Sequence, residues 1–252
     1  MKIQYASDLH LEFPENKAFL KENPLKPVGD ILILAGDILL FTQLDNHQDF
    51  FDYLSDHFQD TYWVPGNHEY YHSDLANRSG IFHEKIRSNV HLLNNKSIKI
   101  DEVEFFFTTL WSHISDKNQW YVSRRMNDFR LINFQSEYFS THIYNQLHTQ
   151  SLEFLQTAFA ISKSSKMVVA SHHIPTFHNY PEKYKDDSLN EAFAVELFDT
   201  IEKYQPDLWI FGHSHANVSD FSIGKAQLRT NQMGYCQFDE HTQFSCEKTF
   251  KF

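Results

Sequence analysis

The chain has 252 residues, 41% of them hydrophobic, and a formal net charge of −11 at pH 7. That length and apolar content suffice for one large α/β domain or two small ones. The acidic balance argues against sequence-independent binding to nucleic acid or an anionic membrane, both of which need clustered Lys and Arg.

The chain begins "MKIQYASDLHLEF", which enters an alternating strand directly, without the apolar core of a signal peptide. No apolar run of about 18 residues follows anywhere, so no membrane span is expected and a cytoplasmic location is. Strand-sized apolar runs then recur in chain order: "KIQYAS", "DILILAG", "TYWVPG", "EFFFTTLW", "KMVVAS" and "LWIFG". Between them "NHQDFFDYLSDHF", "SLEFLQTAFAISK" and "LNEAFAVELFDTIEKY" place apolar residues at three- and four-residue intervals, the spacing of amphipathic helices. Strand and helix alternate, which predicts an α/β fold, and the absence of repeats or linkers predicts one domain over residues 1–252. The segment 112–144, with "SRRMNDFRLINF", has no clear period and reads as an insertion or lid over a site. From Val218 the pattern changes: "DFSIGKAQLR", "GYCQF" and "FSCEKTFKF" predict a β-meander. Cys236 and Cys246 form neither a zinc-finger spacing nor a disulfide framework and read as ordinary thiols of a reducing compartment.

Residues of metal-binding type fall directly after the predicted strands. Asp8 and His10 follow the first, Asp37 the second behind Gly36, Asn67 and His68 the third behind Gly66, His172 a later one, and His213 and His215 the run "LWIFG". In sheets with parallel strands, ligands gather beyond the carboxyl ends, so these residues can share one site. Imidazole, carboxylate and amide oxygen without thiolate suit two Mn, Fe or Zn ions, with Asp37 a possible bridge. Asp8 and Asp37 would oppose two divalent ions with only two negative charges, leaving a positive pocket that attracts a phosphate ester.

In this order and spacing, D-x-H, G-D, G-N-H-E, H and G-H-x-H resemble the calcineurin-like metallophosphoesterase superfamily, over Asp8 to His215. The resemblance implies a four-layer αββα sandwich of two mixed sheets flanked by helices. It implies Asp8, His10, Asp37 and His215 around a first metal, and Asp37, Asn67, His172 and His213 around a second. His172, rather than the adjacent His173, is the implied ligand. His68 matches the superfamily's non-ligand histidine, which assists the leaving group or stabilises the transition state, and Glu69 stands where an acidic residue often orients it. The implied activity is hydrolysis of phosphate mono- or diesters by metal-activated water on a small substrate. A nuclease or nucleotide phosphodiesterase is the alternative within the superfamily, although the charge disfavours nucleic acid. A non-catalytic scaffold is a further one, but it should show broken ligands and none is broken here.

Departures from the superfamily sharpen the expectation. The arginines that the protein serine/threonine phosphatase branch carries near G-D and G-N-H-E are absent from "GDILLF" and "WVPGNHE". The chain is more similar to uncharacterised bacterial members that begin "MKI-YASDLHLEF" and carry "MNDFRLI". Where those have N-P-R-G-Y, "TNQMGY" has Gln232 and Met233. Arg124, Arg125 and Arg130 are candidate replacements for the missing clamps. The alternative for each is a salt bridge to a neighbour such as Asp128 or Glu137. His72, His113 and His178 read as surface or packing residues.

Overall fold

The run "ILILA" at Ile31–Ala35 is buried at every position, as a strand covered on both faces must be. The structure, a computed structural model, describes all 252 residues and places that strand at the centre of a sheet. In chain order the strands are Lys2–Ala6 (β1), Ile31–Ala35 (β2), Asp60–Val64 (β3), Ser73–Asp74 (β4), Phe82–Arg87 (β5), Val90–Asn94 (β6), Lys96–Ile100 (β7), Val103–Thr108 (β8), Ile132–Phe134 (β9), Glu137–Tyr138 (β10), Lys166–Ser171 (β11), Leu208–Phe211 (β12), Phe221–Ile223 (β13), Ala226–Thr230 (β14) and Thr249–Lys251 (β15). The helices are Pro14–Glu22 (α1), Gln48–His57 (α2), Gln119–Arg125 (α3), Asp128–Leu131 (α4), Thr141–Ile161 (α5) and Phe198–Tyr204 (α6).

Two six-stranded sheets form the middle of the molecule. One runs β15-β1-β2-β3-β6-β5 and the other β13-β14-β12-β11-β8-β7. In each the four inner strands are parallel and both edges are antiparallel. Strand alternation divides the side chains between two faces. Ile3, Tyr5, Ile33, Phe105, Phe107, Val168 and Ile210 meet in one cluster between the sheets. On the outer face of the first sheet Leu32, Leu34 and Trp63 pack with Leu20 of α1 and Phe51 and Leu54 of α2. On the outer face of the second, Phe106, Val169 and Trp209 pack with Leu155 and Phe159 of α5 and Ile201 of α6. The result is the four-layer αββα sandwich. No helix is long and apolar enough to cross a membrane.

Two segments differ from the sequence expectation, and a third has elements that the sequence left undefined. Of "LNEAFAVELFDTIEKY" only the second half is α-helical, because Ala194 forms an isolated β-bridge with Ile174, in which the Ile174 amide donates to Phe193 O (3.1 Å) and the Val195 amide to Ile174 O (3.0 Å). A helix through Phe193 would withdraw those groups. The tail forms a hairpin, β13–β14, but no meander. β14 lies parallel to β12, the stretch "GYCQF" turns in a 3₁₀ helix at Cys236–Phe238, and β15 crosses to the other sheet beside β1. Residues 112–144 hold α3, α4, β9, β10 and the first turn of α5, whose start is capped by the Ser140 hydroxyl accepting from the Ile143 amide. There β9 pairs with β4 and β10, and Phe129, Ile132 and Phe139 join the core outside the first sheet.

Candidate metal centre

Strands β1, β2 and β3 of one sheet and β11 and β12 of the other end at the same edge of the sandwich, and each leads into residues of the predicted set. The turns are tight. Asp8, His10, Asp37, His213 and His215 all have positive φ, between 46° and 81°. Non-glycine residues in this region cost of order 1–3 kcal/mol and persist where the surroundings over-determine them. Main-chain bonds do so here: the Asp8 amide donates to Gly36 O (2.9 Å), the His10 amide to Asp37 O (3.0 Å), and the Gly234 amide to Asp8 O (3.0 Å). Two glycines permit the close approach. A Cβ on Gly66 would stand 2.1 Å from Asp37 Oδ1, and one on Gly212 would stand 2.6 Å from Asp8 Oδ2, so neither position accepts a side chain.

The hydrogen bonds of the histidines establish where their lone pairs point, because a carboxylate or carbonyl oxygen can only accept. His10 Nδ1 donates to Glu12 Oε1 (3.0 Å) and His215 Nδ1 to Glu240 Oε2 (2.8 Å). Both Nε2 atoms therefore carry lone pairs, yet they face each other at 2.9 Å, with Asp8 Oδ1 3.5 Å from His215 Nε2 and Asp37 Oδ2 3.7 Å from His10 Nε2. His172 Nδ1 donates to Ala35 O (3.0 Å) and His213 Nε2 to Ala192 O (3.2 Å), which turns His172 Nε2 and His213 Nδ1 toward each other at 2.9 Å. Asn67 Oδ1 lies 3.2 Å and Asp37 Oδ2 3.4 Å from His172 Nε2. Facing nitrogens and carboxylates repel unless a proton or a metal cation lies among them. The donor atoms of Asp8, His10, Asp37 and His215 lie within 4.8 Å of one another, as do those of Asp37, His172 and His213. The two groups share Asp37, so the residues fit two cations of imidazole- and oxygen-binding type.

Electrostatics within the cluster are strong. Burial disfavours charge on Asp37 and His172, but their mutual attraction prevails. It holds the Asp37 carboxyl well below the usual range and raises His172 to about 9. His10 and His213 are pushed down, first by burial and then by neighbouring histidines.

His68 belongs to neither group of donors. Its ring donates through Nδ1 to Glu12 Oε1 (3.0 Å), its amide donates to Asp37 Oδ1 (2.9 Å), and its Nε2 stands 3.4 Å from the Tyr235 hydroxyl. Burial opposes its charge, but Asp37, Glu12 and Asp128 outweigh that and raise it to about 9. The orienting carboxylate is thus Glu12, which corrects the role expected of Glu69. Glu69 is fully buried and accepts instead from the amides of Asp37, Ile38 and Gly66 and from Trp63 Nε1, at 2.7–3.0 Å. It ties the loop after β2 to the loop after β3. Burial and the Asp37 charge push its carboxyl up to about 8.

Other functional residues escaped the sequence reading. Asp128, from the 112–144 segment, accepts from Asn67 Nδ2 (2.8 Å) and the Tyr71 hydroxyl (2.7 Å), which directs Asn67 Oδ1 at His172. It therefore serves the site rather than an arginine. Glu12, within "DLHLEF", was readable only as a neighbour of His10, and Glu240 carries no signal at all. Gln232 Oε1 accepts from the His215 amide (2.7 Å), while Met233 is buried. His173 donates to Thr109 O and packs on Trp111, 5.3 Å between centroids, so of the adjacent pair only His172 reaches the donors. His113 packs on His148 and His178 on Phe198, both outside the cluster, and the His72 amide donates to Leu131 O.

A cavity of about 270 Å³ opens over Asp37, Asn67, His68 and His213, with Tyr71 and Arg125 in its wall. Among the three candidate arginines only Arg125 lines it, its guanidinium 4.9 Å over the Tyr121 ring. Arg124 lies over Trp120, and Arg130 donates to Arg124 O.

Comparisons with known proteins bear on the fold and the family. An uncharacterized protein of Acanthamoeba polyphaga mimivirus is 31% identical over 260 residues, covering 92% of this chain and 91% of its own. The crystal structure of a phosphopantetheinyl hydrolase from Mycobacterium tuberculosis superposes with a TM-score of 0.70 at 15% identity, over 99% of this chain and 95% of that one. A dimetal phosphatase from Danio rerio does so with a TM-score of 0.51 at 14% identity, over 92% and 87%. At these identities the two structures speak for the fold. The family model of the calcineurin-like phosphoesterases matches residues 1–217, a span that contains all seven clustered metal-type side chains, and the chain belongs to that family.

Proposed function

We propose that the protein hydrolyses mono- or diesters of phosphate on a small substrate, with Asp8, His10, Asp37 and His215 holding one divalent ion and Asp37, Asn67, His172 and His213 a second. The observation that carries this is the convergence of imidazole nitrogens on buried carboxylates, with two such nitrogens 2.9 Å apart in each half of the site. Mn, Fe or Zn suits such donors, and a pair of these ions would supply Lewis acidity and water activated for attack near neutral pH. The chain's own contribution is orientation and proton transfer. Glu12 and Glu240 fix the tautomers of His10 and His215, and Asp128 fixes the Asn67 amide. His68, protonated through its Glu12 and Asp37 neighbours, faces the cavity as donor to the leaving oxygen. Two free cysteines are consistent with a cytoplasmic setting.

The test is reconstitution of the metal-free protein with Mn, Fe, Zn or Mg separately, followed by metal analysis and an ester panel. The expected result is two ions per chain and hydrolysis with at least one of Mn, Fe or Zn. A stoichiometry of zero across all of them refutes the reading.

A further inference from the structure

We infer that the substrate is a phosphodiester whose leaving arm lies in the cavity between His68 and Arg125 and whose retained arm lies in the groove beside Lys183, the two spaces meeting at His215 and Glu240. This rests on the reading of the clustered donors as a phosphoester-hydrolysing metal centre.

The clustered donors lie where two spaces meet. The 270 Å³ cavity has Asp37, Asn67 and His213 along it, with His68 and Arg125 in its wall. A groove of about 640 Å³ lies between the segments around Asn179–Lys185 and Phe238–Gln243. His215 and Glu240 line both spaces, while Tyr184 lines the first and Lys183 and Lys185 the second, so the short turn Glu182–Tyr184 is a ridge between them. A phosphate seated at the cluster therefore has room for substituents in two directions. A monoester fills one of them, and a diester fills both.

The position of His68 gives the direction. It lines the cavity and not the groove, so the oxygen that receives its proton belongs to the arm in the cavity. Water oxygen bonds to phosphorus, giving up one proton to solvent, as the bond to that oxygen breaks. The arm departs as an alcohol with the added proton, and the other arm stays in the groove as a phosphomonoester. Thr242 and Gln243 line the groove beside Glu182, Lys183, Lys185 and Asp239, a polar surface with charges of both signs that suits a polar retained arm.

The experiment uses the full-length, metal-loaded protein with p-nitrophenyl phosphate and thymidine 5′-(p-nitrophenyl) phosphate, in the wild type and in Thr242→Trp, which fills the groove from an exposed position. The expected kcat/KM is higher for the diester, and in Thr242→Trp the diester-to-monoester ratio falls about tenfold or more. Calorimetric titration with the non-hydrolysable thymidine 5′-(4-nitrobenzyl)phosphonate should show matching weakening in the variant. A monoester preference in the wild type, or a ratio and a phosphonate affinity unmoved by Thr242→Trp, overturns the proposal while leaving phosphoester hydrolysis standing. Failure to hydrolyse either ester with both ions bound overturns the proposal and the function it rests on.

Discussion

Replacing His68 with alanine should leave both ions bound and remove the proton donor. The structure separates these effects. The His68 ring touches Glu12, Tyr71 and Tyr235 and lines the cavity, and its side chain is not among the donors that converge on Asp37. Glu12 keeps His10 as a partner when His68 is gone, so the tautomer of that ligand survives. The Tyr235 hydroxyl at 3.4 Å is too distant for a strong bond, which leaves His68 Nε2 free for substrate. General acid catalysis contributes roughly 10²- to 10⁴-fold, or about 3–5 kcal/mol of barrier, where the leaving group is a basic alkoxide. The p-nitrophenolate anion departs without a proton. The drop in kcat should therefore reach that range for alkyl esters, followed by phosphate or alcohol release, and stay within about tenfold for nitrophenyl esters. Both are measured at matched metal content. An equal drop for both classes would refute the donor role and assign His68 to positioning phosphate.

Three further outcomes follow from the packing. Arg125→Ala should raise KM for phosphate esters severalfold, whereas Arg124→Ala and Arg130→Ala, at side chains outside the cavity wall, should not, as steady-state kinetics on all three will show. Glu69→Ala strands four buried N–H donors, each costing about 1–3 kcal/mol when unsatisfied, so equilibrium denaturation of the metal-free variant should register a loss of at least about 3 kcal/mol. Asp128→Ala releases the Asn67 amide, and competition against a chelator should show one of the two ions bound about 10- to 100-fold more weakly, with the other unchanged.

Sequence alone located the seven metal-type side chains, because each follows a strand end and parallel strands must deliver their carboxyl ends to one edge. Local periodicity also located the inner strands and the amphipathic faces of α2 and α5, since alternation and three-to-four spacing are properties of neighbouring residues. Partnership across the fold has no such local imprint. That Glu12 rather than Glu69 holds His68 depends on where the loop after β1 meets the loop after β3. Asp128 reaches Asn67, 61 positions away, only because α4 and β9 pack over that edge, and nothing in "MNDFRLI" announces it. Helical spacing from Leu189 to Tyr204 was overridden at Ala194 by a bridge to Ile174, 20 residues earlier, and β15 covers the open edge of β1 instead of joining the β13–β14 hairpin. Periodicity is written by a residue and its near neighbours. Hydrogen-bond partners, tautomers and the two spaces that meet at His215 are decided by groups far apart in the chain, which only the closed sandwich brings within reach.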